Sequence, residues 1–431
     1  MKIIKDSGIE WIGQIPEDWE TTKIKYVVTP IKSGGTPDSD NDRFYAEEGI
    51  PWVAISDMST SSYVFDTEKH ITEEGRKSKN LLIFPTGTLL YSIYATVGKV
   101  SQLKIPACIN QAILALIPHE DIYLTAFLKY NLKAIEDYVY SQSSGNTQFN
   151  LNAHKVNNFS IVSPNFETQK RIADFLDEKC GKIDRYIEKQ QQVIEKLKAY
   201  KQSVITEAVT RGLNPDVPMK DSGITYVGEI PSHWRVIRFK YITDAIGDGL
   251  HGTPEYDPDG EYYFLNGNNI GNENLVFKDN TDRLSESEYK KYKPININEN
   301  TILITLNGAT YGKTSFYNNE KVLLGKSAGY ITLKDGENKY FVRLYLQSHI
   351  ARVVMELSLC GSTIANLSLK TLNEFVMPYP PCDEQEQIVE YLTARCFEID
   401  RVIDKKQSLI DKLTEYKKSL IYEAVTGKLE V

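Results

Sequence analysis

Asp6-Ser7-Gly8-Ile9-Glu10-Trp11-Ile12-Gly13-Gln14-Ile15-Pro16-Glu17-Asp18-Trp19 returns as Asp221-Ser222-Gly223-Ile224-Thr225-Tyr226-Val227-Gly228-Glu229-Ile230-Pro231-Ser232-His233-Trp234, 215 residues downstream. A second pair is closer still. Residues 183–213 match 399–429 at an offset of 216, with 18 of 31 positions identical, including Ile183-Asp184-Arg185 with Ile399-Asp400-Arg401. Two such pairs in the same order mean that the chain is written twice. A period near 215 residues is far longer than the unit of a solenoid, so each copy is expected to be a self-sufficient module. Between the anchors the copies diverge and keep only landmarks: Gly35-Thr36-Pro37 with Gly252-Thr253-Pro254, and Ala95 to Lys99 with Ala309 to Lys313.

Each copy divides by periodicity. Residues 20–165 and 235–380 contain short apolar and β-branched runs, among them Ile50 to Ile55, Thr88 to Ile93 and Thr301 to Leu306, separated by Gly, Asn, Asp and Ser. Such runs predict strands, and a helical stretch from Tyr340 to Leu357 makes each head α+β. Each head leads into a long helix. Ile183, Ile187, Ile194, Leu197, Val204 and Ala208 step by three and four, Gln190 and Lys201 fill the remaining slots, and the second copy repeats the stripe as Ile399, Ile403, Ile410, Leu413, Leu420 and Ala424. That spacing predicts a coiled-coil seam. Asp383, three residues before Glu386, predicts a capping box, and Gly212 with Pro215 predicts the first helix's end. A helix over 167–211 would be roughly 65 Å long at 1.5 Å per residue. The expected architecture is a head over 1–166, a helix over 167–213, a second head over 214–382 and a second helix over 383–431, the helices pairing antiparallel about a pseudo-two-fold axis.

Composition narrows the function. The 431 residues are too many for one ordinary core; 41% are apolar and 25% charged, which fits globular domains. No transmembrane run or secretory signal is seen, so a cytoplasmic location is expected. Five cysteines include no Cys-x-x-Cys pair, which speaks against a disulfide framework or a zinc ribbon. Cys180 and Cys396 occupy equivalent helix positions and read as small packing residues. Gly308 to Thr314 ends like a phosphate-binding loop but has three residues between its glycines where four are required. No adenine-methyltransferase Asn-Pro-Pro-aromatic run, Gly-x-Ser-x-Gly elbow or paired-histidine metal motif occurs. No catalytic residue, metal site or cofactor is therefore assigned to this chain.

Two related, unlike heads on paired helices suit a split, asymmetric duplex target. The candidate DNA-contacting residues lie in polar segments where the copies diverge: Lys32, Ser33, Gly35 and Thr36; Ser144, Asn146 and Gln148; His251 and Thr253; Ser362 and Thr363. Asparagine, glutamine and lysine make hydrogen bonds to base edges. Lys99 and Lys313, each following a glycine at a turn, are candidates to face phosphate. Net charge is −8, and the four segments carry −4, +2, −3 and −3 in chain order, so none is strongly basic. Unaided DNA affinity is expected to be weak and sensitive to salt.

The repeated Asp-Ser-Gly-Ile motif, with Ser33-Gly34-Gly35-Thr36-Pro37, Ile50-Pro51-Trp52-Val53, Ile71 to Gly75, Gly145-Asn146-Thr147-Gln148 and the Ile-Asp-Arg helices, resembles the specificity subunit of Type I restriction-modification systems. The resemblance covers almost the whole chain, twice. It implies two target recognition domains reading a bipartite sequence, with helices that act as spacer and as docking surface for two methyltransferase subunits. It further implies motor and nuclease subunits in a larger assembly, with S-adenosylmethionine, ATP and magnesium held by the partners. Rival readings are a coiled-coil scaffold that never touches DNA and a fused restriction or methylation polypeptide. The second head departs from the first at Gln148, whose counterpart is Ile364, so contact roles do not transfer between heads.

Overall fold

The computed structural model describes residues 3–59, 62–144, 151–292, 296–308, 310–358 and 366–431, with the backbone alone at 59 and 142–144. The chain forms two compact units, one of residues 1–191 with 408–431 and the other of residues 192–407. Both units mix helix and sheet. Each long helix, Phe166–Arg211 and Cys382–Val425, gives its first part to one unit and its last part to the other.

In the first unit the central sheet runs Lys32–Ser33, Ile113–Leu116, Leu89–Ser92, Val100–Leu103, Tyr63–Val64. Two of its inner strands, Leu89–Ser92 and Ile113–Leu116, are buried on both faces, which is why they read as mainly apolar runs. Alternation then sorts the side chains. Leu89, Tyr91, Leu114 and Leu116 join a core with the long helices, whereas Leu90, Ile113 and Ala115 face a smaller core. A four-stranded sheet lies beside it, ordered Cys108–Ile109, Ile50–Val53, Lys69–Ile71, Tyr45–Ala46.

The second unit repeats the plan. Its central sheet is Thr243–Asp248, Ala328–Leu333, Thr301–Thr305, Thr314–Phe316, and a three-stranded sheet holds Arg283–Leu284, Tyr262–Leu265 and Val322–Leu324. Here Ile302, Ile304, Ile331 and Leu333 face the helix side, and Leu303 and Ala328 the other.

The repeated Asp-Ser-Gly-Ile motif has a structural purpose. Ile4–Asp6 pairs antiparallel with Gln14–Pro16, and Met219–Asp221 pairs likewise with Glu229–Pro231. The tryptophan that closes each motif packs at a helix end. A Cβ on Gly212 would stand 3.1 Å from the Trp234 ring, and one on Gly427 would stand 2.5 Å from Pro16 and 3.0 Å from Trp19. Both glycines have φ near +75°, the left-handed geometry that ends a helix. Lys428 Nζ also donates to the Ile12 carbonyl at 3.1 Å. The motif is therefore a clamp on the last turn of a long helix, made once in each unit.

Within each unit the long helices share a core. Leu176 and Cys180 lie with Leu420, Ile421 and Ala424, and Ile183 packs against them. Val204, Ile205 and Ala208 lie with Ile388 and Leu392, with Cys396 against them. Of the seam positions, Ile194, Val204, Ile399, Ile410 and Leu420 are buried; Ile183, Ile187, Leu197, Ile403 and Leu413 are half-buried. Burial pushes the thiols of Cys180 and Cys396 up from the ordinary cysteine range, as suits packing residues. Two ion pairs join the helices: Asp184 with Lys417 at 2.5 Å in the first unit, and Lys201 with Asp400 at 2.6 Å in the second.

Three local expectations are corrected. The stretch from Tyr340 to Leu357 is two helices, Lys339–Gln347 and His349–Ser358, because Ser348 is extended (ψ 155°) and its Oγ accepts from Ala351 N. Ile50 to Ile55 is strand only to Val53, and Ile55 opens the helix Ile55–Ser59. Asp383 is not a cap, since the helix already begins at Cys382. The buried Gln385 side chain donates to the Pro380 carbonyl at 2.9 Å, as Gln169 does to Pro164 at 3.0 Å.

Candidate nucleic-acid interface

Strand register gathers the divergent segments at one end of each central sheet. In the first unit Ser33 pairs with Leu114 and Ser92 with Ile113, so the exit after Ser33 and the hairpin after Ser92 leave from the same sheet end. They flank the turn that precedes Ile113. With strands about 4.8 Å apart, the two outer segments are separated by roughly 10 Å. The second unit is built alike: Asp248 pairs with Gly329 and Thr305 with Ala328.

The turn is held on three sides. Gly35 N donates to Ile109 O at 3.0 Å, Asn110 N to Val53 O at 3.0 Å, and Ile93 N to Ala112 O at 2.9 Å. Its counterparts are Leu250 N to Leu324 O at 2.7 Å, Gly325 N to Leu265 O at 2.8 Å, and Leu306 N to Ser327 O at 2.9 Å. These bonds equate Gly34 with Gly249 and Gly35 with Leu250. The sequence pairing of Gly35 with Gly252 is thereby corrected: His251 and Gly252 are extra residues, inserted before Thr253. Glycine is required at the crossing. A Cβ on Gly34 would stand 1.8 Å from Ile109 O, and one on Gly249 would stand 2.3 Å from Leu324 O.

On this frame Lys32 and Ser33 are exposed, Gly35 and Thr36 half-buried. Trp52 Nε1 donates to Gly35 O at 3.0 Å, and Thr36 Oγ1 donates to Gln111 Oε1. Lys99, exposed, pairs with Glu136 at 3.6 Å, which offsets part of its charge. In the second head His251 and Thr253 are exposed, and His251 Nε2 lies 2.6 Å from Asp248 Oδ2. Lys313 is exposed and has no ion pair among the described residues. Lys99 and Lys313 are equivalent, since Ser92 N donates to Lys99 O and Thr305 N to Lys313 O. Thr301–Thr305 pairs antiparallel with Thr314–Phe316, so Gly312 and Lys313 lead into a strand, whereas a phosphate-binding loop would open a helix. Ser144 is described by its backbone, as the last residue of the helix Glu136–Ser144, while Asn146, Gln148, Ser362 and Thr363 lie outside the described residues.

Two side chains at the centre of this arrangement escape a reading of the sequence. Gln111 and Lys326 occupy the same position of the turn, one residue past Asn110 and Gly325, and both are exposed. The available signal was a short polar break between apolar runs, Ile109-Asn110-Gln111-Ala112-Ile113 and Leu324-Gly325-Lys326-Ser327-Ala328. Among the described residues no group of His, Cys, Asp and Glu is arranged to hold a metal, and no helix is long and apolar enough to cross a membrane.

The family model described as Type I restriction modification DNA specificity domain matches residues 16–199 and again 231–413. The chain is 25% identical to the Type I restriction enzyme MjaIX specificity subunit of Methanocaldococcus jannaschii, over 97% of this chain and 95% of that one. It is 23% identical to the EcoBI specificity subunit of Escherichia coli, over 89% of this chain and 81% of that one. A chain from a solved type I R-M system assembly has the same fold, with a TM-score of 0.68 at 16% identity, over 96% of this chain and 99% of that one. The doubled match follows the doubled plan of sheets, helix clamps and long helices, and the protein belongs to the DNA specificity family of Type I restriction-modification systems.

Proposed function

We propose that the chain reads a bipartite, asymmetric DNA target, with one half-site for each head, and presents it to partner subunits that carry out the chemistry. One observation carries this reading: both heads build the same backbone frame at the same sheet end and place different side chains on it. An identical frame serves a repeated task. The unlike side chains at Gln111 and Lys326, and the insertion at His251, make the half-sites differ.

The heads are 1–166 and 214–382, and the helices 167–213 and 383–431 pair as an antiparallel coiled coil that sets the gap between half-sites. Support comes from the two ion pairs, which use equivalent residues: Asp184 and Asp400 answer each other at an offset of 216, as do Lys201 and Lys417. Two methyltransferase subunits dock on the helices. Arg185, Lys189 and Lys196 are exposed on one helix face and recur as the exposed Arg401, Lys405 and Lys412, a doubled surface for a partner present twice. S-adenosylmethionine, ATP and magnesium belong to the methyltransferase, motor and nuclease subunits, and the assembly works in the cytoplasm.

Co-expression with the methyltransferase subunit, followed by mapping of modified adenines, tests the reading. A split sequence with two unlike halves is expected. Methylation without regard to sequence, or of one uninterrupted site, would favour the scaffold instead.

A further inference from the structure

We infer that Gln111 in the first head and Lys326 in the second are specificity-determining residues, each reading a base edge in its own half-site. This rests on the proposal that the sheet ends meet DNA. The two positions are the same point of the same frame, and three cross-strand hydrogen bonds fix the backbone on either side of each. A side chain leaving a fixed backbone explores few directions, which is what readout of a base edge demands.

The side chains differ where the backbone bonds on either side do not. Gln111 is an amide whose Oε1 accepts from Thr36 Oγ1, and an amide nitrogen carries two donors. Glutamine matches the N6 and N7 of adenine. Lys326 is an exposed ammonium with no ion pair among the described residues, and it matches the O6 and N7 of guanine. Both side chains are exposed on the turn.

The test is a reciprocal exchange in the complete complex with the methyltransferase subunit. Gln111→Lys is expected to move the preference at one base pair of one half-site from adenine to guanine, and Lys326→Gln to move one base pair of the other half-site from guanine to adenine. Gln111→Ala and Lys326→Ala are expected to lower discrimination at those same positions by about tenfold. The untouched half-site in each variant reports that the complex is folded and assembled. Unchanged base preference in all four variants would overturn this inference and leave the split-target reading standing. A uniform loss of methylation over all sequences, with a shallower salt dependence, would also overturn it, because that marks a phosphate contact. If the wild-type complex itself showed no split target, the broader proposal would fall, and this one with it.

Discussion

A Cβ 1.8 Å from the Ile109 carbonyl oxygen cannot be accommodated without moving backbone, so Gly34→Ala is expected to cost about 1–3 kcal/mol. For a unit of this size that is a fall in Tm of roughly 2–4 °C per kcal/mol. Gly249→Ala should behave alike, and Gly252→Ala, where a Cβ meets nothing within 4 Å, should leave Tm unchanged. Thermal melts of the three variants decide whether the crossing is as tight as these distances make it. Lys133 gives a second residue-scale expectation. Burial, with the neighbouring charges of Lys417 and Lys129, pulls its ammonium down to about 8. The unfolded chain then binds more protons between pH 8 and about 10.4, so this residue makes stability rise with pH across that window. Lys133→Met should remove that rise and raise Tm at pH 7, as wild-type and variant melts from pH 6 to 10 would show. At this scale the sequence was only partly legible. The glycine-rich segments were visible as divergent loops, but the equivalence of Gly34 with Gly249 depends on hydrogen-bond register, and the two-residue insertion at His251 disguised it. Gln111 and Lys326 were hidden because a polar break of two or three residues looks the same whether it reads a base or merely turns the chain.

Among the elements, the long helices were the most legible, because a stripe sustained from Ile183 to Ala208, and again from Ile399 to Ala424, leaves little choice of period. Strands of four or five residues were placed correctly but extended too far, as at Ile55, where Asp57 Oδ2 accepts from Ala54 N at 2.7 Å and starts a helix. The break at Ser348 was not legible, since nothing in composition distinguishes a serine inside a helix from one that caps the next. The closing tryptophans were legible as repeated residues, but their role was not, because the helix ends they grip lie far away in the chain or just before the motif. Trp234 is wholly buried, and its Nε1 donates to Glu384 at 2.8 Å. Trp234→Ala is expected to cost about 3–5 kcal/mol and to loosen the last turn of the first long helix, seen as faster amide exchange at 205–212. Protection as in the wild type would contradict the clamp. The ion pairs predict less. Lys201 and Asp400 are part-exposed, so either single charge reversal should cost up to about 1 kcal/mol, with recovery in the Lys201→Asp, Asp400→Lys double variant. A double-mutant cycle on Tm measures the coupling.

On the scale of the whole molecule, the internal repeat was fully legible, and with it the number of heads and helices. Which partners assemble around the chain was not legible from residue patterning, since a charge of −8 says only that strong phosphate binding must come from elsewhere. The isolated chain is accordingly expected to bind duplex DNA weakly, with affinity falling steeply between 50 and roughly 200 mM salt; tight sequence-specific binding without partners in a mobility-shift assay would show that the heads alone supply the phosphate contacts. The central claim is that two homologous frames, differing in the side chains they display, each define half of one address. Replacing residues 235–380 by residues 20–165, so that both positions carry the first head, and mapping the adenines methylated by the resulting complex tests it most directly. The account predicts a symmetric target, with the first half-site repeated in inverted orientation across the gap. Retention of the original asymmetric target would contradict it.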